Sequence, residues 1–66
     1  MAKKRDKTRK VSYKPGLNLR AGPSKEDEIL RVLKYGETVT PDHDREAPEG
    51  WMAVDGGGYV MTEFLD

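Results

Sequence analysis

Apolar and polar positions alternate in several short segments of the chain, and turn-forming residues separate these segments. In residues 17–20 two leucines alternate with Asn18 and Arg20, and Gly22-Pro23 follows at once. A period of two is typical of a half-buried strand, whereas glycine frees the backbone and proline fixes φ and removes a hydrogen-bond donor. The sequence therefore predicts a strand that runs directly into a turn.

Similar segments recur along the rest of the chain. Residues 37–40 are rich in β-branched side chains, and Pro41 ends this strand or leaves it at a sheet edge. The later segments are a polar loop over 42–50, an apolar strand over 51–54, a glycine-dense hairpin turn over 55–58, a returning strand over 59–61 and a helical turn over 62–65. Five or six short strands with turn signals every 8–12 residues predict a small all-β barrel or sandwich.

Residues 24–36 allow two interpretations. Four apolar residues between positions 29 and 33 lie at helical spacing, and Ser24 with Asp27 resembles a capping box, which together predict a helix over residues 25–35. The same segment also fits a strand over residues 28–34 that follows a charged loop. Periodicity alone does not decide between them.

Length and composition restrict the function classes. A chain of 66 residues without cysteine forms one small domain that has neither disulfides nor thiolate metal sites. Because such a domain buries only about 60% of its unfolded surface, nearly every large apolar residue is needed in one core. No apolar run approaches the ~20 residues of a membrane helix, and no signal peptide is recognisable. We expect a cytoplasmic chain, or one in the cell envelope or secreted if it belongs to a longer protein.

The net charge of zero conceals a division of the chain. Residues 1–10 hold six basic residues and one acidic residue, a net charge of +5, and residues 11–66 carry −5. The basic residues are Lys3, Lys4, Arg5, Lys7, Arg9 and Lys10. We predict a flexible arm over residues 1–10 and a folded domain over residues 11–66. The arm could contact nucleic acid, act as a solubilising tail or pair with the acidic loop, but without an apolar face it would not insert into a membrane.

The motif Leu17-Asn18-Leu19-Arg20-Ala21-Gly22-Pro23-Ser24 is similar to the opening motif of bacterial Src-homology-3-like (SH3b) domains. Later segments follow in the order of that family. Residues 29–33 resemble its second strand, and residues 35–39 resemble its turn and third strand. Residues 50–54 resemble its Gly-Trp-x-x-Val strand, and residues 58–65 resemble its last strand and closing turn. The resemblance covers residues 11–66 and favours a strand over a helix at 28–34. It implies an SH3-like barrel of five to seven short strands with a single helical turn near the C-terminus.

The resemblance also implies a core and a function. The implied core residues are Val11, Leu17, Leu19, Ile29, Leu33, Val39, Met52, Val54, Val60 and Leu65. SH3b domains are in general non-catalytic modules, and those of secreted enzymes bind peptide or cross-bridge elements of peptidoglycan. We therefore expect a binding module and not an enzyme.

The residues that carry catalysis or bind metals are sparse. His43 is the only histidine, and neither serine sits on a sharp strand-to-helix turn, so no nucleophilic triad is expected. Asp42, His43 and Asp44 are adjacent, with Glu46 close by, and adjacent loop residues seldom converge on one ion. We interpret them as a solvated acidic loop and expect neither a metal nor a cofactor. Glycines 56–58 form a hairpin turn and not a phosphate cradle, because no helix follows them.

The aromatic residues provide the candidate site. Met52 and Val54 are expected to face inward, so that Trp51 and Ala53 point the other way. We predict a shallow groove that binds a short peptide, a peptidoglycan fragment or a protein partner. Its residues are Tyr13, Asn18, Arg20, Trp51 and Tyr59. Two alternatives stay open: Trp51 covers the barrel with Arg20 stacked on it, or the domain is structural and has no free ligand.

Overall fold

Six short strands and one helical turn make up residues 8–66, the part of the chain that the computed structural model describes. The elements are β1 (Arg9–Lys10), β2 (Leu17–Arg20), β3 (Ile29–Leu33), β4 (Thr38–Val39), β5 (Trp51–Ala53), β6 (Tyr59–Met61) and a 3-10 turn (Thr62–Phe64). The predicted small all-β fold with a single C-terminal helical turn is confirmed. Within residues 8–66 no helix has the length and apolar character needed to cross a membrane.

The strands form two antiparallel sheets that isolated bridges connect. The order of the larger sheet is β3-β2-β6-β5, and β1 pairs with β4. Val11 bridges to Leu65, and Pro41 bridges to Val54. These bridges continue β1 onto the last residues of the chain and β4 onto β5, so the two sheets enclose one core. As Pro41 predicts, β4 is short.

Residues 29–33 form a strand, as the family resemblance predicted and periodicity alone did not. β3 pairs with β2 from Leu17 opposite Leu33 to Arg20 opposite Ile29, and the register skips Leu30. Leu17 and Leu33 both enter the core at this first pair. Pairing with β2 satisfies the backbone polar groups along one side of the strand, and the inward-facing Leu33 supplies its contact with the core.

The core confirms most of the predicted set. Its buried members are Val11, Leu17, Leu33, Val39, Val54, Val60 and Leu65, with Leu19, Met52 and Phe64 packed against them. Ile29 was predicted in the core, and this prediction is wrong, because its side chain is 46% exposed. The skipped residue Leu30 shifts the register, so Ile29 lies opposite Arg20, which is on the outward side of β2.

Two residues that were assigned to the basic arm take part in the barrel. Arg9 pairs with Val39 and Lys10 with Thr38. The Arg9 Nε also donates to the carbonyl of Asp66 at 2.9 Å, and the Asp66 amide donates to the Lys10 carbonyl at 2.7 Å. The rest of the predicted arm, with Lys3, Lys4, Arg5 and Lys7, lies outside the described residues, so binding of nucleic acid by the arm stays a prediction.

Candidate functional site

An open pocket lies between the outward side of β2 and the C-terminal turn. Its volume is about 250 Å³, and it is lined by Tyr13, Gly16, Leu17, Asn18, Arg20, Lys25, Met61, Glu63 and Phe64. The rings of Tyr13 and Phe64 form one wall, with centroids 4.5 Å apart and planes inclined at 41°. A concave site with an aromatic wall and a few polar side chains has the composition of a ligand-binding site.

A tight turn places Tyr13 at this pocket. The Gly16 amide donates to the Tyr13 carbonyl at 2.9 Å, and Gly16 has a φ of 103°. A Cβ at this position would lie 2.8 Å from the Leu33 carbonyl oxygen. Glycine is therefore needed both for the left-handed backbone and for the close approach of the turn to β3. With this turn in place, Leu17 enters the core and Asn18 points outward.

Arg20 holds the loop that borders the pocket. Its Nη1 donates to the carbonyls of Lys25 at 2.8 Å and Asp27 at 3.0 Å. Within the same loop the Ser24 hydroxyl accepts a bond from the Glu26 amide at 3.1 Å. Charge-assisted bonds to two carbonyls fix the loop to the end of β2. Arg20 thus shapes the rim of the pocket.

Trp51 and Tyr59 share the outward side of the sheet but do not line this pocket. Trp51 pairs with Met61 in the β5–β6 hairpin, and Tyr59 pairs with Arg20 across β6 and β2. Paired residues lie on the same face of a sheet. Because Met61 does line the pocket, half-buried Trp51 is the cross-strand neighbour of one pocket residue. Of the five predicted site residues, the pocket brings together Tyr13, Asn18 and Arg20.

Arg45 holds the loop of residues 42–50 against the other end of the sheet. Its Nε donates to Asp42 Oδ2 at 2.8 Å, and its Nη2 donates to the Val54 carbonyl. The guanidinium carbon lies 5.0 Å from the centroid of the Tyr59 ring, a cation–π distance. The ring of Tyr59 is therefore in contact with a side chain of the same molecule. Sequence reasoning missed this role, although Arg45 is the only arginine or lysine in an acidic loop.

The loop also covers a residue that points away from the core. Ala53 pairs with Tyr59, on the side of the hairpin away from the core, as expected. It is nevertheless only 3% exposed and does not belong to the core cluster. Ala53 lines a depression together with Asp42 and Arg45, so the loop covers it. The alternation of the strand predicts which way a side chain points but not what is folded over it.

The Arg45–Asp42 contact should make stability depend on pH. The hydrogen bond from Arg45, followed by that from the Asp44 amide, holds the pKa of the Asp42 carboxyl below its ordinary value. The contribution of this ionised carboxyl to the free energy of unfolding is complete above the pKa of the unfolded chain, about 3.9. It is lost as the pH falls through the lower pKa of the native state. We expect the urea midpoint of Asp42→Asn to fall less between neutral and acid pH than that of the unchanged chain.

Glu37 provides the comparison for this measurement. The Lys34 amide, followed by Arg31, lowers the pKa of the Glu37 carboxyl, so this group also contributes to acid sensitivity. Asp42→Asn should leave the Glu37 part of the acid loss in place, and the further change Glu37→Gln should reduce it. Equal acid loss in the unchanged chain and in Asp42→Asn would contradict the assignment.

The acidic loop does not assemble a metal-binding group. Across residues 8–66, no three side chains of the metal-ligating types Asp, Glu and His are grouped to hold an ion. Asp42 instead accepts bonds from Arg45 and, at 3.0 Å, from the Asp44 amide. The carboxylate of Asp42 thus has a role within the loop.

The model of the bacterial SH3 domain family matches residues 15–66. The chain belongs to the bacterial SH3 domain family. The match contains the opening motif of residues 17–24, so the resemblance seen in the sequence is confirmed. Neither the curated proteins nor the solved structures that were compared with the chain provide a match. Bacterial SH3 domains are in general binding modules without catalytic activity.

Six residues that line the pocket of this SH3 domain were not predicted as site residues: Gly16, Leu17, Lys25, Met61, Glu63 and Phe64. Phe64 was assigned only to the closing turn, and Met61 only to the last strand. The sequence held a signal for Phe64. Leu65 must turn inward at the end of a single helical turn, so its neighbour Phe64 is left beside the core and not within it. The position of Tyr13 against Phe64 depends on the bridge between Val11 and Leu65, which joins distant parts of the chain.

Proposed function

We propose that this bacterial SH3 domain is a non-catalytic module that binds a short peptide, of peptidoglycan or of a protein partner, in the pocket beside Tyr13 and Phe64. The observation that carries the proposal is this aromatic pair at the wall of an open cavity. Tyr13 is 44% exposed, so much of its ring is available to a ligand. An aromatic side chain held in this way gives a large contact area for little loss of conformational entropy.

The polar side chains of the pocket suit a peptide. The Asn18 amide offers both donors and an acceptor, which match the N–H and C=O groups of a peptide backbone. Lys25 and Glu63 provide opposite charges at the same pocket. A short peptide, with charged groups at its ends or on its side chains, complements such a pair, whereas the aromatic wall covers apolar carbons.

Trp51 supplies a second contact in the proposal. It is the cross-strand neighbour of Met61, so a ligand that extends beyond the pocket over Met61 reaches the indole ring. Tyr59 takes part indirectly in this proposal, since Arg45 lies over its ring and fixes the neighbouring loop. The proposed peptide therefore follows the outward side of the sheet from Tyr13 toward Trp51.

Removal of the Tyr13 ring tests the proposal. Soluble peptidoglycan fragments, titrated into the ¹⁵N-labelled chain, should shift the amide resonances of Tyr13, Asn18, Met61 and Phe64. Tyr13→Ala should raise the Kd about tenfold or more, as expected for the loss of an aromatic anchor worth about 1.4 kcal/mol. The same titration with unrelated soluble peptides distinguishes a wall ligand from a protein ligand.

Tyr35→Ala is the matched control, because Tyr35 is 56% exposed and does not line the pocket. It should leave the Kd unchanged. Asn18→Ala tests the pocket without touching the contact between Tyr13 and Phe64, and it should weaken binding by a smaller factor. A folded Tyr13→Ala chain that binds as tightly as the unchanged one would overturn the proposed site.

A further inference from the structure

The edge strand β3 presents an exposed apolar row that the proposed pocket does not use. β3 is an end member of the four-stranded sheet and pairs with β2 along one side. Ile29, Leu30 and Val32 are 46%, 50% and 53% exposed. An edge strand with exposed apolar side chains and one unpaired side is a template for pairing with another strand.

We propose that β3 pairs antiparallel with β3 of a second copy of this chain, around a two-fold axis at Arg31. This register places Glu28 opposite Lys34 of the second copy and Leu30 opposite its Val32. Each of these pairs occurs twice, because a two-fold interface uses the same surface on both copies. The sequence Glu-Ile-Leu-Arg-Val-Leu-Lys over residues 28–34 is thus complementary to itself when read in the opposite direction.

Charge and burial both select this register. Glu28 and Lys34 are exposed and directly flank β3 on its two sides in the chain, so the antiparallel arrangement joins opposite charges at both ends. Between them, Leu30 and Val32 of each copy meet the same residues of the other, and four half-exposed apolar side chains become covered. Opposite charges and apolar pairs that face each other across strands are stabilising, and like charges are destabilising.

Two features of β3 bear on the pairing. Arg31 would meet its counterpart at the axis, but its guanidinium already forms an ion pair with Glu37 of its own chain, which compensates the charge. The register of β3 with β2 skips Leu30, so Leu30 has no pairing partner within the described sheet. A bulge of this kind bends an edge strand, and we therefore expect a dimer that forms reversibly and depends on concentration.

A charge exchange tests the register directly. Sedimentation velocity over a range of concentrations should show a monomer–dimer equilibrium for the unchanged chain. Glu28→Lys alone and Lys34→Glu alone each place like charges opposite at both ends and should raise the dimer Kd roughly tenfold or more. The double variant, which carries both changes, restores opposite charges and should dimerise like the unchanged chain.

Mixing the two single variants gives the sharpest outcome. One chain then has lysine at positions 28 and 34 and the other has glutamate, so only the mixed dimer pairs opposite charges, and it should form at concentrations at which each variant alone is monomeric. Glu49→Lys, an equal charge change in an exposed loop, is the control and should leave the Kd unchanged. The proposal is overturned if the unchanged chain stays monomeric at the highest concentration, or if the mixture behaves as the separate variants do.

Discussion

Gly58→Ala should unfold most of the protein. Gly58 is buried at the end of the β5–β6 hairpin with a φ of 92°, and an added Cβ would lie 2.7 Å from Leu19 Cδ1 and 3.2 Å from the Arg20 carbonyl oxygen. The left-handed backbone costs an alanine about 1–2 kcal/mol, and overpacking beside the core costs about 1–3 kcal/mol more. The sum approaches the ~3–5 kcal/mol that a single core of this size supplies. Circular dichroism and urea unfolding would measure the loss.

Gly57→Ala separates the two causes. Gly57 has a φ of 119°, so the backbone cost is present, but nothing lies within 4 Å of a Cβ built there. We expect a loss of about 1–2 kcal/mol and a folded protein. Similar losses for the two variants would show that the backbone conformation alone requires glycine in this turn. A much larger loss of stability for Gly58→Ala would show that the close contact of Gly58 with β2 adds to the backbone cost.

The strands could be predicted from the sequence because their signals are local. Leucine alternation before Gly22-Pro23 and the glycines after Val54 specify where strands end, and these signals need no knowledge of the fold. The helical spacing in residues 29–33 was misleading by itself. There the pairing with β2 decides, because Leu33 can meet Leu17 in the core only if the segment is extended.

The candidate site was predicted only in part, because its residues are brought together by contacts between distant parts of the chain. The side on which Asn18, Arg20, Trp51 and Tyr59 lie follows from strand alternation. Which of these residues line the pocket does not follow from alternation. It depends on Arg45, whose hydrogen bond to the Val54 carbonyl and cation–π contact with Tyr59 join the loop to the hairpin. Tyr13 reaches Phe64 only because the two ends of the described chain are bridged. Neither contact leaves a periodic signal in the sequence.

Leu33→Ala and Ile29→Ala should differ strongly although both remove large aliphatic side chains from β3. Leu33 is 1% exposed and belongs to the core, so its truncation leaves a cavity and should cost about 2–5 kcal/mol. Ile29 is 46% exposed, and its truncation should cost about 0.5 kcal/mol. Urea unfolding of both variants, at a concentration low enough to keep the chain monomeric, measures the difference. Equal losses would mean that β3 turns Ile29 inward, which would remove the skipped residue at Leu30 and restore a regular ladder with β2.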